Sequence, residues 1–396
     1  MNNMQMDGRS RMIAAMRHEI PDRTPVMCQL SIGHYLLNTG ISPSRLWFSS
    51  EGFAEALVTL CRRYRFDGIL INLPGRPSDW RKNIRRIETR RDGSELVYWQ
   101  NGDVTECPKD DLVKHIYHGG RRFPALDEVD PDRLYYLEPH DEGALKYPFY
   151  YGTVPYEAQR DSYFPAYLTR TIELVLKEAG GAVSVHGEIA SPFTQFMELF
   201  DYSSALMHLL DDPAKSLAIL DALTEGAIEF GKLQARAGVD AVVISSPFAG
   251  QNFISRHFYE QFVAPQEKRI ARALQECGVF VYTHTCGSTG DRLDLMADTG
   301  INGIECLDPP PIGDGDLART KTTIGNRLFI KGNIDPVNTL LLKSREEVRA
   351  DARRRLKIGA PGGGYILSSA CSVAPATKPE NIEVLAEAAE AEALTR

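Results

Sequence analysis

The chain has 396 residues, with 45 Lys plus Arg against 53 Asp plus Glu, a formal net charge of −8 and a pI near 5.7. That balance, with no long basic run, excludes the clustered cations that nucleic-acid phosphates require. No stretch approaches the roughly 20 apolar residues needed to cross a bilayer, and the 43% apolar content suits one large α/β barrel or two smaller domains.

The opening MNNMQMDGRSRM has no apolar run, so no secretory leader is expected. Seven unevenly spaced cysteines read as reduced thiols of a cytoplasmic protein, some of them available to a metal. The spacing predicts a helix over 8–18, stopped before Pro21, then a strand over 24–30 with Pro25 at its start. A helix over 52–64 and a strand over 68–72 follow.

The pattern changes between 76 and 160. The basic stretch 81–86 reads as a solvated face. Asp92-Gly93 and Asn101-Gly102 are hairpin signals between alternating segments. The remainder is rich in Pro, Asp and Tyr, and the whole is expected to be an insertion capping the main domain. Its aromatic run, Tyr135-Tyr136 to Tyr147–Tyr151, could supply a lid or simply pack the insertion onto the barrel.

From residue 161 the alternation is regular. Helices are predicted over 167–179, 213–237, 258–276, 292–297, 316–322, 345–357 and 381–393. Between them lie apolar runs at 182–185, 241–244, 279–282, 303–304, 328–330 and 365–367. Eight short strands, near 25, 70, 184, 242, 281, 304, 329 and 366, predict a (β/α)8 TIM barrel with a β-hairpin-rich insertion, a single domain over 1–396. No early strand-to-helix turn carries G-x-G-x-x-G, and Gly362–Gly364 precedes a strand, so a dinucleotide fold is disfavoured.

Chemistry in such barrels gathers at the C-terminal strand ends. His284 and Cys286 stand two apart there, so an extended segment points both to one side. Cys371 follows the eighth strand, on the same rim. One imidazole and two thiolates suit zinc with a position left for substrate. The competing reading is three unrelated core or rim residues. A two-thiolate zinc favours holding a further thiolate, hence methyl transfer over hydrolysis. Glu305 is the candidate to complete the zinc sphere, or else an ordinary rim carboxylate, and neighbouring Cys306 is a minor rival to Cys371.

Other rim residues carry weaker expectations. Asn333 and Asp335 follow the seventh strand, where Asp335 could orient substrate, move a proton or only form an Asx turn. Glu188 could bond substrate or a metal-ligand histidine, while Ser191 could be no more than a helix cap. His34, Tyr35, Asn72 and His186 are candidates for a polar substrate wall.

These residues sit in a recognisable pattern: His284-Thr285-Cys286-Gly287, Gly332-Asn333-Ile334-Asp335-Pro336, and Gly363-Gly364-Tyr365-Ile366-Leu367 leading to Cys371 and Asn381. Weaker matches are Ala15-Met16 through Asp22-Arg23-Thr24-Pro25, Gly187 to Thr194, and Gln234 to Asp240. The sequence resembles the uroporphyrinogen decarboxylase superfamily, in particular its zinc-dependent corrinoid/coenzyme M methyltransferase branch. The resemblance implies the barrel again, and zinc on His284, Cys286 and Cys371.

The decarboxylase proper uses no metal and carries arginines after the first strand and an aspartate at the second strand end. Here those places read Gln29 to Tyr35 and Ile71-Asn72-Leu73-Pro74, so that activity is not expected. The implied function is transfer of a methyl group between a small methylated molecule or thiol and a corrinoid, methylcobalamin, on a separate corrinoid protein. No Asp-x-His-x-x-Gly cobalamin motif occurs in this chain, and the partner would dock at the C-terminal face near the insertion. Two other readings remain: a metal-free lyase acting on a smaller carboxylated substrate, and a non-catalytic corrinoid-protein-binding protein. An uncovered barrel side also favours a symmetric homodimer.

Overall fold

The computed structural model describes residues 5–120, 123–137 and 163–394. In chain order its strands are β1 (Gly68–Ile71), β2 (Ile84–Thr89), β3 (Glu95–Trp99), β4 (Val104–Cys107), β5 (Lys114–Ile116), β6 (Ser184–Ala190), β7 (Ala241–Ser245), β8 (Phe280–Thr285), β9 (Gly303–Cys306), β10 (Phe329–Ile334) and β11 (Tyr365–Ser369). The centre is a curled, open seven-stranded parallel sheet in the order β1-β6-β7-β8-β9-β10-β11. Helices such as Pro213–Arg236 and Arg345–Gly359 connect neighbouring strands, because parallel neighbours need a crossover.

The strand expected over 24–30 is not assigned as one. Val26 and Leu30 make only isolated parallel bridges, to Leu367 and Val373. Two causes are local. Pro25 has no amide to donate, and the Val26 amide is taken by the Asp67 carboxylate at 2.8 Å rather than by a strand partner. The segment still lies beside β11, where Leu367 N donates to the Pro25 carbonyl (2.9 Å) and Met27 N to that of Leu367 (3.1 Å). Asp67 N donates to the Val26 carbonyl at 2.8 Å.

The sheet interior divides by height. Towards the N-terminal ends, Leu70, Ala241, Val243, Tyr282, Phe329 and Ile366 form a buried apolar layer. The helix Gly8–Met16 closes it with Met12, Ala15 and Met16. One level higher the layer turns polar. The register pairs His284 with Glu305 and Glu305 with Lys331, so these three inward side chains stand in one row across β8, β9 and β10. Polar residues inside the sheet explain why β6, β8, β9 and β10 run further than their apolar runs predicted.

Both hairpins of the insertion form. β2 pairs antiparallel with β3, and β3 with β4, with turns at Gly93 (φ 87°) and Gly102 (φ 95°). This small sheet packs against the helix Pro43–Phe48: Trp99 meets Phe48 edge-on at 5.1 Å, and the Glu95 carboxylate accepts from Ser44 N at 2.7 Å. The Tyr147–Tyr151 part of the expected lid lies outside the described residues. Among the described residues no helix is long and apolar enough to cross a membrane.

Candidate metal centre

β8 carries His284 to its C-terminal end and Cys286 just past it. The loop is held from two sides: the Ser246 amide donates to the His284 carbonyl (2.8 Å), and the Gly287 amide to the Asp308 carboxylate (2.7 Å). Gly287 adopts φ 78°, and a Cβ there would fall 2.3 Å from Asn252 Oδ1, so only glycine lets the chain turn away after Cys286. Cys371 is delivered from the far edge of the sheet by β11, and the Ala370 amide donates to the Ile334 carbonyl at 2.7 Å.

The two segments converge. His284 Nε2 lies 3.5 Å from Cys286 Sγ and 3.8 Å from Cys371 Sγ, and the two sulfurs are 3.9 Å apart. For bonds of about 2.3 Å to sulfur and about 2.05 Å to nitrogen, tetrahedral geometry requires N···S near 3.6 Å and S···S near 3.8 Å. The donors therefore stand where one ion could bind all three. A fourth group, Cys306, lies in the same cluster, with all four donor atoms within 4.8 Å of one another.

The electrostatics follow from these contacts. Hydrogen bonds from Cys286 and Cys306, with His284 alongside, hold the Cys371 thiol well below its ordinary pKa. Burial opposes charge on His284, but the Cys286 and Cys371 sulfurs and Glu305 outweigh it and raise its pKa. Burial likewise opposes charge on Glu305, but Lys331 and His284 hold its carboxyl at about 2.

Glu305, the candidate to complete the metal sphere or else an ordinary rim carboxylate, has its Oε1 engaged by Lys331 Nζ, while Oε2 faces His284 Nδ1 at 3.7 Å. The carboxylate stands behind the imidazole, and Cys306 stands beside the other sulfurs.

The remaining candidates divide. Asn72, Glu188 and His284 line a cavity of about 250 Å3 with Thr194, Glu198 and Ser245. His186 does not line it, since Ser184 Oγ (3.1 Å) and Tyr282 Oη (3.0 Å) occupy both ring nitrogens inside the sheet. Burial and the Lys331 charge push its pKa down to about 4.

His34 is buried between Tyr64 Oη (2.7 Å) and the Pro375 carbonyl (3.0 Å), and Tyr35 packs edge-on against Phe53. Asp335 accepts from the Val337 and Asn338 amides at 2.8 and 2.7 Å, the geometry of a cap. Ser191 likewise caps the helix Pro192–Leu199, accepting from Thr194 N at 3.0 Å. Asn333 donates to the Leu307 carbonyl (2.8 Å) and accepts from Arg355. Lys331 and Asp308 escaped the sequence reading. The only signal for Lys331 was a cation in an apolar strand, and Asp308 follows Cys306 by two residues.

Comparison with known proteins places the chain among relatives of known family. The methylcobamide:CoM methyltransferase MtaA of Methanosarcina barkeri is 28% identical over 237 residues, 60% of this chain and 66% of the relative. The uroporphyrinogen decarboxylase of Cellvibrio japonicus is 28% identical over 227 residues, 54% and 60%. The chain thus spans just under two thirds of the curated relatives it matches. A solved methyltransferase from Methanosarcina mazei shares the fold, with a TM-score of 0.71 at 20% identity over 98% of this chain and 99% of that one. The uroporphyrinogen decarboxylase (URO-D) family model matches residues 156–392, well over half of the chain, and the protein belongs to that family.

Proposed function

We propose that this protein is a zinc-dependent methyltransferase that moves a methyl group between a small methylated molecule or thiol and a corrinoid on a separate protein. The observation that carries the reading is the approach of His284, Cys286 and Cys371 to within 3.9 Å from two strand ends 85 residues apart in sequence. Support comes also from the methylcobamide:CoM methyltransferases among its relatives. The seven cysteines are all free, in keeping with a reducing cytoplasmic setting. The parallel contact of 25–30 with β11 and its bond to Asp67 favour a closed eight-membered barrel.

His284, Cys286 and Cys371 would hold the ion. Bound there, zinc would supply a site at which a thiol is kept as thiolate at neutral pH. The chain's own residues do the positioning. Glu305, fixed by Lys331, faces Nδ1 and leaves Nε2 turned to the sulfurs. The cavity beside His284 presents Glu188, Thr194 and Ser245 to a small substrate. Methyl transfer is an in-line displacement, so fixing donor and acceptor within this cavity contributes directly to rate.

Elemental analysis and a methylcobalamin–thiol assay followed by cobalt absorbance test the reading. One zinc per chain and thiol-dependent loss of methylcobalamin are expected; Cys371→Ala should hold zinc more weakly and abolish the methyl transfer while the fold is retained. Activity that survives this substitution refutes the assignment.

A further inference from the structure

We infer that Cys306 is a fourth protein ligand, so that the resting zinc sphere is one nitrogen and three sulfurs rather than three ligands with an open corner. The inference rests on the zinc reading above and extends it. Cys306 Sγ lies against the imidazole, 3.2 Å from His284 Nε2 and 3.5 Å from Nδ1, and all four donor atoms lie within 4.8 Å of one another. The distances from Nε2 to the three sulfurs (3.2, 3.5 and 3.8 Å) lie around the tetrahedral edge, and a turn of the ring about its Cβ bond would bring Nε2 into line.

Backbone conformation supplies the independent argument. Neighbours in an extended strand point to opposite faces, yet Glu305 and Cys306 both reach His284. The alternation is broken because Cys306 adopts φ 82° and Leu307 φ 49°. Left-handed backbone outside glycine costs on the order of 1 kcal/mol per residue and persists only where surrounding contacts impose it.

Those contacts are present. The Asn333 side chain, itself held by buried Arg355, donates to the Leu307 carbonyl at 2.8 Å. Gly332 lets β10 approach so closely that a Cβ there would lie 2.8 Å from the Cys306 carbonyl. The result is a fully buried sulfur aimed at the imidazole. A buried apolar role for the cysteine needs no such turn, whereas delivery of a ligand does. With His284, Cys286, Cys306 and Cys371 all holding the ion, a substrate thiol would need one of these side chains to give up its place.

X-ray absorption at the zinc edge of the intact, zinc-loaded chain in thiol-free buffer counts the sulfurs. Wild type should show three sulfur neighbours at about 2.3 Å. Cys306→Ala should show two, as should Cys371→Ala, and Cys306→Ser serves where the alanine variant does not fold. Two sulfurs in wild type, unchanged by either Cys306 substitution, overturn the role of Cys306 and leave the three-ligand site standing. A wild-type chain that retains no zinc, or a sulfur count indifferent to Cys371→Ala, overturns the zinc reading and this inference together.

Discussion

Replacing Lys331 with Met should destabilise the protein by about 3 kcal/mol at pH 7. Lys331 and Glu305 are an ion pair with side chains 0% and 1% exposed. The Glu305 carboxyl is held at about 2, against an ordinary 4.5, which corresponds to about 3 kcal/mol of folding free energy. Breaking a buried pair by removing one partner costs a similar ~3–5 kcal/mol, because the other charge is left without compensation. The sign is fixed by the downward shift. The contribution is present above about pH 4.5 and is lost as pH falls towards about 2. Urea unfolding of wild type and Lys331→Met at several pH values, at one fixed zinc concentration, measures it. The gap should be widest near neutrality and close on acidification. The double variant Lys331→Met/Glu305→Met should recover most of the loss, since an apolar pair removes both buried charges. A gap at pH 7 below ~1 kcal/mol, or one that does not narrow in acid, refutes the reasoning.

Glu267 should behave oppositely: burial raises its carboxyl to about 7, although Ser246 and Tyr259 hydroxyls donate to it at 2.7 Å each. Stability is therefore lost as pH rises from about 4.5 to about 7, and Glu267→Gln should gain about 3 kcal/mol at pH 8 with little change at pH 4, read from urea midpoints. Asp67→Ala should cost ~3–5 kcal/mol, since this buried carboxylate binds Arg11, Arg23 and the Val26 amide at 3.2, 2.7 and 2.8 Å; thermal melts check it. Gly287→Ala should weaken zinc retention against a chelator and lower stability by ~1 kcal/mol or more, because φ 78° and the Asn252 contact both oppose a Cβ.

His284, Cys286 and Cys371 could be singled out as candidates because thiols and an imidazole at strand ends are a distinctive chemistry, independent of side-chain orientation. Asp335 and Ser191 show the opposite case. Capping and substrate contact draw on the same residue types, and only the amide bonds that each accepts reveal the capping geometry. His34 and His186 were drawn to the rim by their position after apolar runs. Their ring nitrogens instead satisfy buried hydroxyls and a carbonyl, a three-dimensional pairing that no spacing encodes.

The strands from 184 onward with helices between them, the two hairpins and the three leading metal candidates were set by apolar periodicity, Asp-Gly and Asn-Gly turns and residue chemistry, all of which are local. Which charge neutralises which was decided across strands: Lys331 meets Glu305 only through the β9–β10 register. The orientation of Cys306 was decided by a left-handed turn that Asn333, Arg355 and Gly332 impose from another strand and helix. Sequence periodicity assigns alternate residues to opposite faces, and a reversal of that rule costs free energy that only contacts distant in the chain can offset.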